Sequence, residues 1–407
     1  MRCQHIEIIE KQNNMSAKII LKSGKEQSVK RLHPWIFSGA IKQIQGTPKE
    51  GDLVSVYDNQ GGFLAWGHYQ PSSIAVRILT FENQVPDAVF FRKKIANAIE
   101  FRRRMGFFDS ADTNVFRLVH GEGDGMSGLV VDYYNGTVVF QAHSVGMYLM
   151  KDAIAEILKD LLGDKVRCIY DKSSQTLPFK ADIEPVDGYL FGKPDTNIVL
   201  EHGHKFEIDW ENGQKTGFFI DQRENRQLLA NYSAGRTVCN IFGYTGGFSV
   251  YALGAGAKAV HTVDVSKPAI VQTDRNVALN FPDCANHQGF ALDAFDFFAQ
   301  TTDKYDLIIL DPPAFAKHQS ALNNALQGYK RINQRALEQI QPGGILFTFS
   351  CSQAVSKEDF RKAVFAASVN AHRNVRILHQ LSQPIDHPIG MFHPESEYLK
   401  GLVLYVE

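Results

Sequence analysis

The sequence predicts a multidomain α/β protein, with a small N-terminal β barrel, an α+β middle region and a doubly wound C-terminal α/β domain. Its 407 residues exceed one domain of about 100 to 200 residues. Short strand-like segments separated by Gly and Pro extend to about residue 81, whereas apolar segments alternate with helical ones from about residue 192. Charge divides the chain in a similar way.

Basic residues are concentrated at the front of the chain. Residues 1–106 contain 16 Lys or Arg and 9 Asp or Glu, although the formal net charge of the whole chain is only -1. Such an asymmetry is typical of an N-terminal part that meets nucleic acid or another anionic surface. A solvated charged face without a partner is the alternative.

Composition excludes several classes of protein. With 44% hydrophobic and 21% charged residues, the chain is neither disordered nor a membrane protein. We expect a cytoplasmic protein, because the N-terminus is polar and no apolar run reaches about 18 residues. Met15 is an alternative start to Met1. The 5 cysteines are widely spaced without a CxxC, so neither a disulfide framework nor a metal site is predicted.

The N-terminal elements follow from alternating apolar residues. Strands are predicted from residue 18 and over 53–57, 63–67 and 74–79, which together suit a small barrel. A helix is predicted over 88–104, because apolar residues recur there at helical spacing. We expect its basic residues to form an outer face that suits nucleic acid or another anionic surface; they include Arg92, Lys93, Arg102 and Arg103.

The remaining elements form a middle region and a larger C-terminal domain. The middle region is predicted as strands over 115–120, 128–133, 137–142 and 168–171 with a helix over 147–162. Seven buried strands follow, at 237–242, 259–264, 289–292, 305–310, 344–350, 375–381 and 401–406. Doubly wound domains bind ligands at the carboxyl ends of their strands.

A glycine-rich turn follows the first of the seven strands. The glycines allow a ligand close to the backbone, and the next helix offers free N–H groups. Neither GxGxxG nor GxxxxGK[ST] is matched, which disfavours a pyrophosphate cradle. The turn contains Phe242, Gly243, Tyr244 and Gly246.

Carboxylates end the next two strands. Asp264, followed by Val265 and Ser266, is placed to accept hydrogen bonds from ribose hydroxyls, and Asp293, followed by Ala294, can accept from an exocyclic amine. Each alone could be a helix N-cap. Together with the glycine turn, they predict an adenosine site.

The fourth strand ends in a rigid acidic turn. Two prolines after Asp311 turn the chain sharply and remove two N–H donors, which presents Asp311 and the region of Pro313 to the pocket. A rigid loop without a ligand is the alternative.

These residues resemble class I S-adenosylmethionine-dependent methyltransferases. Residues 16–407 resemble the RlmI-type family of ribosomal RNA cytosine-C5 methyltransferases. Three further segments carry this resemblance: 31–39, 117–125 and 214–223. The resemblance implies a PUA-like RNA-binding domain over 16–84, an EEHEE α+β domain over 85–191 and a methyltransferase domain over 192–407.

The resemblance also implies the site and its partners. It places the nucleophile at Cys351, with Asp311 stabilising the charged base. It brings the segment containing Thr216, Phe219, Asp221 and Gln222 to the cofactor and the rim of the active site, with a helix cap or a loop contact as the alternative for each. The cofactor is S-adenosylmethionine, the product S-adenosylhomocysteine and the substrate ribosomal RNA of the large subunit. A homodimer is compatible with it. Lys30, Arg31 and Trp35 are expected to bind RNA.

Two other functions remain open from sequence. Enzymes that methylate a guanine nitrogen share a similar Asp-Pro-Pro segment but need no thiol, so Cys351 separates the two activities. A ribosome-assembly factor that binds RNA without catalysis is the second alternative.

Overall fold

A computed structural model describes residues 17–177, 183–316 and 318–407, which form two compact units. Unit 1 comprises Met1–Asn197, Asp209–Phe218 and Asp386–Ser396. Unit 2 comprises Ile198–Ile208, Phe219–Ile385 and Glu397–Glu407. The alternative starts Met1 and Met15 lie outside the described residues. Two segments of the C-terminal chain therefore belong to unit 1, and the domain boundaries proposed from sequence stay predictions.

The N-terminal part of unit 1 is a six-stranded sheet. Its strands are β1 (Lys18–Leu21), β2 (Trp35–Phe37), β3 (Ile41–Gln45), β4 (Leu53–Tyr57), β5 (Phe63–Tyr69) and β6 (Ile74–Thr80), with the short helix α1 (Gln27–Lys30) after β1. The strand order is β2-β6-β5-β4-β1-β3. Alternate side chains point into the core, where Ile19, Val54 and Val76 are fully buried. The small β domain predicted from sequence is confirmed.

The second sheet of unit 1 follows a long helix, α2 (Ala88–Arg104). Asp87 caps this helix by accepting a hydrogen bond from Phe90 N at 2.8 Å. The elements that follow it are β7 (Val115–His120), β8 (Leu129–Tyr134), β9 (Thr137–Ala142), α3 (Val145–Leu149), α4 (Lys151–Leu162), β10 (Cys168–Asp171) and β11 (Gly188–Gly192). The strands of this sheet have the order β11-β10-β9-β8-β7.

Arg102 corrects the sequence interpretation of α2. Its side chain is fully buried, and its guanidinium donates to both carboxylate oxygens of Asp124, at 2.6 and 2.8 Å. It also donates to the backbone oxygens of Arg117 and Asp386, at 2.8 and 2.7 Å. An enclosed side chain with these partners cannot reach a phosphate, so the expected RNA contact of Arg102 is wrong. The residue instead ties the Asp386–Ser396 segment into unit 1.

Unit 2 contains a two-stranded and a seven-stranded sheet. Its strands are β12 (Ile198–Glu201), β13 (His204–Glu207), β14 (Thr237–Ile241), β15 (Ala259–Asp264), β16 (His287–Ala291), β17 (Tyr305–Leu310), β18 (Ile340–Ser350), β19 (Val375–Leu381) and β20 (Lys400–Val406). The larger sheet has the order β16-β15-β14-β17-β18-β20-β19. All seven strands predicted from sequence are confirmed.

Helices connect these strands on both faces of the sheet. They are α5 (Arg223–Ala230), α6 (Gly247–Gly254), α7 (Lys267–Asn280), α8 (Ala294–Gln300), α9 (Leu322–Gln339) and α10 (Lys357–Asn370). Separate apolar clusters cover the two faces, one around Ile308 and Tyr329 and the other around Val238 and Phe347. Within the described ranges, no helix is both long and apolar enough to cross a membrane.

Register brings the strand ends to one edge. Ile241 pairs in parallel with Val263 and Leu310, and Leu310 pairs in parallel with Thr348. The loops that follow β14, β15, β17 and β18 therefore leave from the same side of the sheet. Only β20 runs antiparallel to its neighbours in this sheet.

The buried ion pair in unit 1 predicts a difference between neighbouring arginines. Arg102→Met removes the partner of buried Asp124 and should lower the free energy of unfolding by about 3 to 5 kcal/mol. Arg103→Met, at an exposed position that pairs with Glu100 and lies over the Phe108 ring, should change it by about 0.5 kcal/mol or less. Urea unfolding followed by tryptophan fluorescence measures both, because Trp35, Trp66 and Trp210 all lie in unit 1. Equal unfolding curves for the two variants would contradict this account of Arg102.

Candidate active site

The turn after β14 is held close against its own sheet. Phe242, Tyr244 and Gly246 have φ of 60°, 46° and 79°, in the left-handed region that costs a residue with a side chain about 1 to 2 kcal/mol. A Cβ added at Gly243 would lie 2.4 Å from Thr262 Cγ2, and one at Gly246 would lie 2.5 Å from Thr273 Cγ2. Glycine is therefore required at both positions by packing.

Asp264 joins this turn to the end of β15. One carboxylate oxygen accepts from Tyr244 N at 3.0 Å and the other from Ser266 N at 2.8 Å. The carboxylate remains partly exposed, and the neighbouring Val265 is 76% exposed. The structure thus brings the glycine turn and Asp264 together, with an acidic group open to a ligand.

Asp293 occupies the equivalent place after β16. Its carboxylate accepts from Phe295 N at 2.8 Å and so caps α8, while Ala294 is buried in the first turn of that helix. Asp293 is therefore the N-cap of α8, which is one of the two roles that the sequence left open for it. Asp293 is exposed and its carboxylate can accept a further hydrogen bond, so capping does not exclude a ligand.

Asp311 lies among polar side chains that precede α5. Burial, followed by the nearby charge of Asp221, raises the pKa of Asp311 to about 7, although a hydrogen bond with Gln222 works in the opposite direction. Asp221 itself accepts from Tyr398 Oη at 2.7 Å. Near neutral pH a large fraction of Asp311 is therefore protonated and able to donate a hydrogen bond. Pro313, two residues further on, is exposed.

Cys351 lies in a turn fixed by the serines on either side of it. Its sulfur is 3.8 Å from the backbone oxygen of Pro312. Ser350 and Ser352 are fully buried. The Ser352 hydroxyl bonds to Tyr329 Oη at 2.9 Å and accepts from Ala316 N at 3.3 Å. The Asp311 loop and the Cys351 turn are thus held together, as the two catalytic assignments require.

The surroundings of the Cys351 thiol strongly oppose its ionisation. Burial first, and then the carboxylates of Asp311 and Asp221, raise its pKa to about 12. A nucleophilic thiolate therefore needs positive charge nearby. Lys400, which sequence reasoning missed, supplies such a charge from β20, where it is 4% exposed.

A buried ion pair supports the segment that precedes α5. Arg226 donates to both carboxylate oxygens of Glu201, at 2.7 and 2.8 Å, and to the backbone oxygen of Phe219 at 3.0 Å. The Phe219 ring packs edge-on against Tyr244, with centroids 5.1 Å apart. Phe219 is therefore fixed beside the glycine turn, and its contact with the cofactor stays a prediction.

Thr216 belongs to unit 1, whereas the strand-end residues belong to unit 2. Its hydroxyl donates to Asp132 Oδ2 at 2.6 Å and bonds to Tyr134 Oη at 2.8 Å. It is buried, and these two partners account for its position. Its assignment to the cofactor stays a prediction.

The expected RNA-binding residues differ in exposure. Lys30, Arg31, Lys93 and Arg103 are exposed, and so is Arg92, which pairs with Asp160. Trp35 is partly buried, with the Arg77 guanidinium 5.3 Å from its ring and the His393 ring 4.3 Å away. Much of the Trp35 ring is therefore used inside unit 1. Phe37, two residues further on and 48% exposed, offers an aromatic surface that sequence reasoning did not single out.

The residues at the strand ends fit a cationic nucleoside cofactor. Asp264 and Asp293 offer carboxylate acceptors for hydroxyl and amino groups, and the glycine turn leaves backbone accessible between them. Asp221 adds negative charge, which suits a sulfonium ion. Among the described residues, no group of three or more His, Cys, Asp or Glu is arranged to hold a metal ion.

Comparison with known proteins supports these assignments of fold and cofactor. A family model described as S-adenosylmethionine-dependent methyltransferase matches residues 152–389, and a model described as PUA-like domain matches residues 19–81. The relatives include "Ribosomal RNA large subunit methyltransferase I" of Alteromonas mediterranea, 39% identical, and that of Aeromonas hydrophila, 41% identical. Each alignment covers 96% of this chain and 99% of the relative.

Solved structures agree in fold. A SAM-dependent methyltransferase structure from Streptococcus mutans superposes with a TM-score of 0.83 at 24% sequence identity, and covers 96% of this chain and 100% of that one. A second structure with the same scores is a complex with SAH. At this level of sequence identity, the superposition shows a shared fold and carries no conclusion about function.

Two glycines with the same backbone conformation allow a test of the cofactor turn. Gly246 and Gly256 have φ of 79° and 82°, but a Cβ at Gly256 meets nothing within 4 Å. Gly256→Ala should therefore lose about 1 kcal/mol of unfolding free energy from strain alone. Gly246→Ala should lose a further 1 to 3 kcal/mol, roughly, through overpacking against Thr273, and should bind S-adenosylmethionine more weakly in calorimetric titration. If both variants bind the cofactor like the wild type, the turn is not part of its site.

Proposed function

The chain belongs to the ribosomal RNA large subunit methyltransferase I family, and from this we propose that it forms 5-methylcytosine in large-subunit ribosomal RNA. The observation that carries the proposal is the placement of Cys351 and Asp311 on adjoining turns, with the Cys351 sulfur 3.8 Å from the backbone oxygen of Pro312. A thiol is dispensable for methylation of a ring nitrogen and essential for this reaction.

The requirement for a thiol follows from the chemistry of the base. Carbon 5 of cytosine is a poor nucleophile, and addition of a thiolate to carbon 6 makes it enamine-like. We assign this addition to Cys351. Carbon 5 then gains a methyl group and loses its proton to a base, after which elimination of the thiolate restores the ring. The base that takes the proton is not assigned.

Asp311 assists the same step by donating a hydrogen bond to the ring. Addition at carbon 6 pushes electron density onto ring nitrogen 3, which is stabilised by a hydrogen-bond donor. With its pKa raised to about 7 by burial and Asp221, the Asp311 carboxyl retains a proton for this purpose near neutral pH. An ordinary, ionised aspartate could not donate.

S-adenosylmethionine, the cofactor of this family, supplies an electrophilic methyl group when bound. Residues of the strand ends hold it in this proposal: the glycine turn with Phe242 and Tyr244, Asp264 with Ser266, and Asp293. The base must leave its stack to reach Cys351, because an adduct at carbon 6 cannot form inside a duplex. The substrate is therefore an exposed cytidine, and we place the protein in the cytoplasm with it.

The six-stranded sheet of unit 1 is the proposed RNA-binding surface. Residues 17–49 contain seven Lys or Arg and one acidic residue, and all seven basic side chains are exposed. A surface of this charge attracts the phosphate backbone, and exposed Phe37 offers a face for a base.

Removal of the Cys351 sulfur tests the proposed reaction. Cys351→Ala should reduce methylation of large-subunit RNA by a factor of at least about 10³, because the covalent step disappears. Cys284→Ala, which removes a partly exposed thiol elsewhere in unit 2, should retain wild-type activity. Mass spectrometry of nucleosides measures the product.

The nature of the product separates the alternatives. Wild-type methylation that survives in Cys351→Ala and appears on guanosine favours the guanine-nitrogen enzyme. S-adenosylmethionine binding without any methylation by the wild type, on RNA from a strain lacking this gene, favours the non-catalytic assembly factor.

Charge reversal tests the RNA surface. Lys30→Glu with Arg31→Glu should weaken RNA binding and lower the slope of log affinity against log salt by about 1 to 2, since each phosphate contact contributes about 0.7 to 0.9. Lys258→Glu with Lys362→Glu makes the same change in net charge on exposed positions of unit 2 and should leave the slope unchanged. Filter binding across a salt series measures both. An equal loss in the two double variants would refute a specific role for this surface.

A further inference from the structure

Lys400 lies directly beside the turn that carries Cys351. It begins β20, and antiparallel pairing sets it opposite Ser350, the last residue of β18 and the neighbour of Cys351. Its ammonium nitrogen donates to the backbone oxygen of Ser352 at 2.7 Å and to that of Val355 at 2.8 Å. The lysine thus holds the turn by two charge-assisted hydrogen bonds on its C-terminal side.

The positive charge of Lys400 is buried without a carboxylate in these contacts. Lys400 is 4% exposed, and both hydrogen-bond acceptors are neutral carbonyl oxygens. Glu397, the nearest acidic residue in sequence, pairs with Lys357. A buried ammonium in such surroundings is costly unless an anion balances it. Burial accordingly lowers the pKa of Lys400 to about 8.

Charged groups from several elements act on Cys351. Asp311, after β17, and Asp221, before α5, both oppose its ionisation, whereas Lys400 favours it. Burial is the larger cause of the raised pKa of Tyr329, on α9, and the charge of Cys351 also raises it. The groups acting on Lys400 are Cys351, Glu397 and Lys357. The ammonium therefore acts against the two carboxylates at the sulfur, although the pKa of the thiol stays raised.

We propose that Lys400 is a positioning residue for methyl transfer, which fixes the Cys351 turn and stabilises the Cys351 thiolate by its charge. This inference rests on the proposed role of Cys351 as nucleophile. In the activation step the S–H bond breaks, the proton passes to water or buffer, and the electron pair stays on sulfur. Lys400 keeps its own proton throughout.

The reactivity of the thiol reports on this charge without any need for catalysis. Iodoacetamide alkylates the thiolate, forming the S–C bond with release of iodide, and mass spectrometry of the Cys351 peptide gives the rate in the full-length protein. Lys400→Met should slow alkylation of Cys351 about ten-fold or more at pH 7, where the wild-type ammonium is charged. Lys400→Arg, which keeps the charge, should alkylate within a few-fold of the wild type.

A matched control separates Lys400 from general surface charge. Lys362→Met removes an exposed ammonium of α10 that pairs with Glu358 and should leave the rate at Cys351 unchanged. In methylation assays, Lys400→Met should lower kcat while the KM for S-adenosylmethionine stays near its wild-type value. A role in cofactor binding would raise that KM instead.

The wild-type protein provides a second measurement, which does not depend on the folding of a variant. Near pH 7 the rate should rise less than ten-fold per pH unit, because Asp311 ionises there and opposes the thiolate. Above about pH 8 Asp311 is already ionised, but Lys400 loses its proton and the thiolate loses its counter-charge, so the rise should stay below ten-fold per unit. A full ten-fold rise per pH unit from pH 8 to 10 overturns the inference.

Two results distinguish the inference from the proposed function. Wild-type alkylation of Cys351 in a folded Lys400→Met variant refutes the role of Lys400 but leaves Cys351 as nucleophile. Full methylation by Cys351→Ala refutes the nucleophile, whatever the alkylation rates show.

Discussion

Parallel pairing of β14, β15, β17 and β18 is the constraint on which the site depends. Because Ile241, Val263, Leu310 and Thr348 are in register, the four strands end at one edge and release their loops on the same side. The sequence places Gly243, Asp264, Asp311 and Cys351 one to three residues beyond those positions. Residues as far apart in the chain as Gly243 and Cys351 thereby leave the sheet at one edge.

The same edge creates an electrostatic conflict. Carboxylates suit a cationic cofactor, yet each carboxylate near Cys351 makes its thiolate harder to form, and the pKa of the thiol rises to about 12. Distance alone cannot resolve this, since the attacking sulfur and the methyl group must both reach the same base. Lys400 follows the Cys351 turn in sequence, whereas Asp221 and Asp311 precede it. From the antiparallel strand β20, Lys400 can favour the thiolate while the acidic loops remain.

The sequence predicted what depends on local periodicity and on strand ends. The seven strands of unit 2 and the helix over 88–104 were predictable because their apolar residues repeat regularly. Arg102 was misjudged although the signal was present: it continues the stripe of Phe91, Ile95 and Ile99 at helical spacing and so points inward. Its burial is tolerated only because Asp124 and Asp386, the latter 284 residues away, supply partners. No periodicity shows such long-range pairing, and for the same reason Lys400 and the unit 1 position of Thr216 were missed.

The uneven charge of the chain then gains a physical meaning. An acidic catalytic edge repels the phosphate backbone of its own proposed substrate, and this repulsion extends about 8 Å at physiological ionic strength. The free energy for bringing RNA to the protein must therefore come from elsewhere, and the exposed basic residues of 17–49 can provide it. A base turned out of its stack is uncharged and can approach the acidic edge, whereas its phosphates stay further away. Basic and acidic parts that nearly cancel in total thus favour entry of a single unstacked base over entry of a duplex.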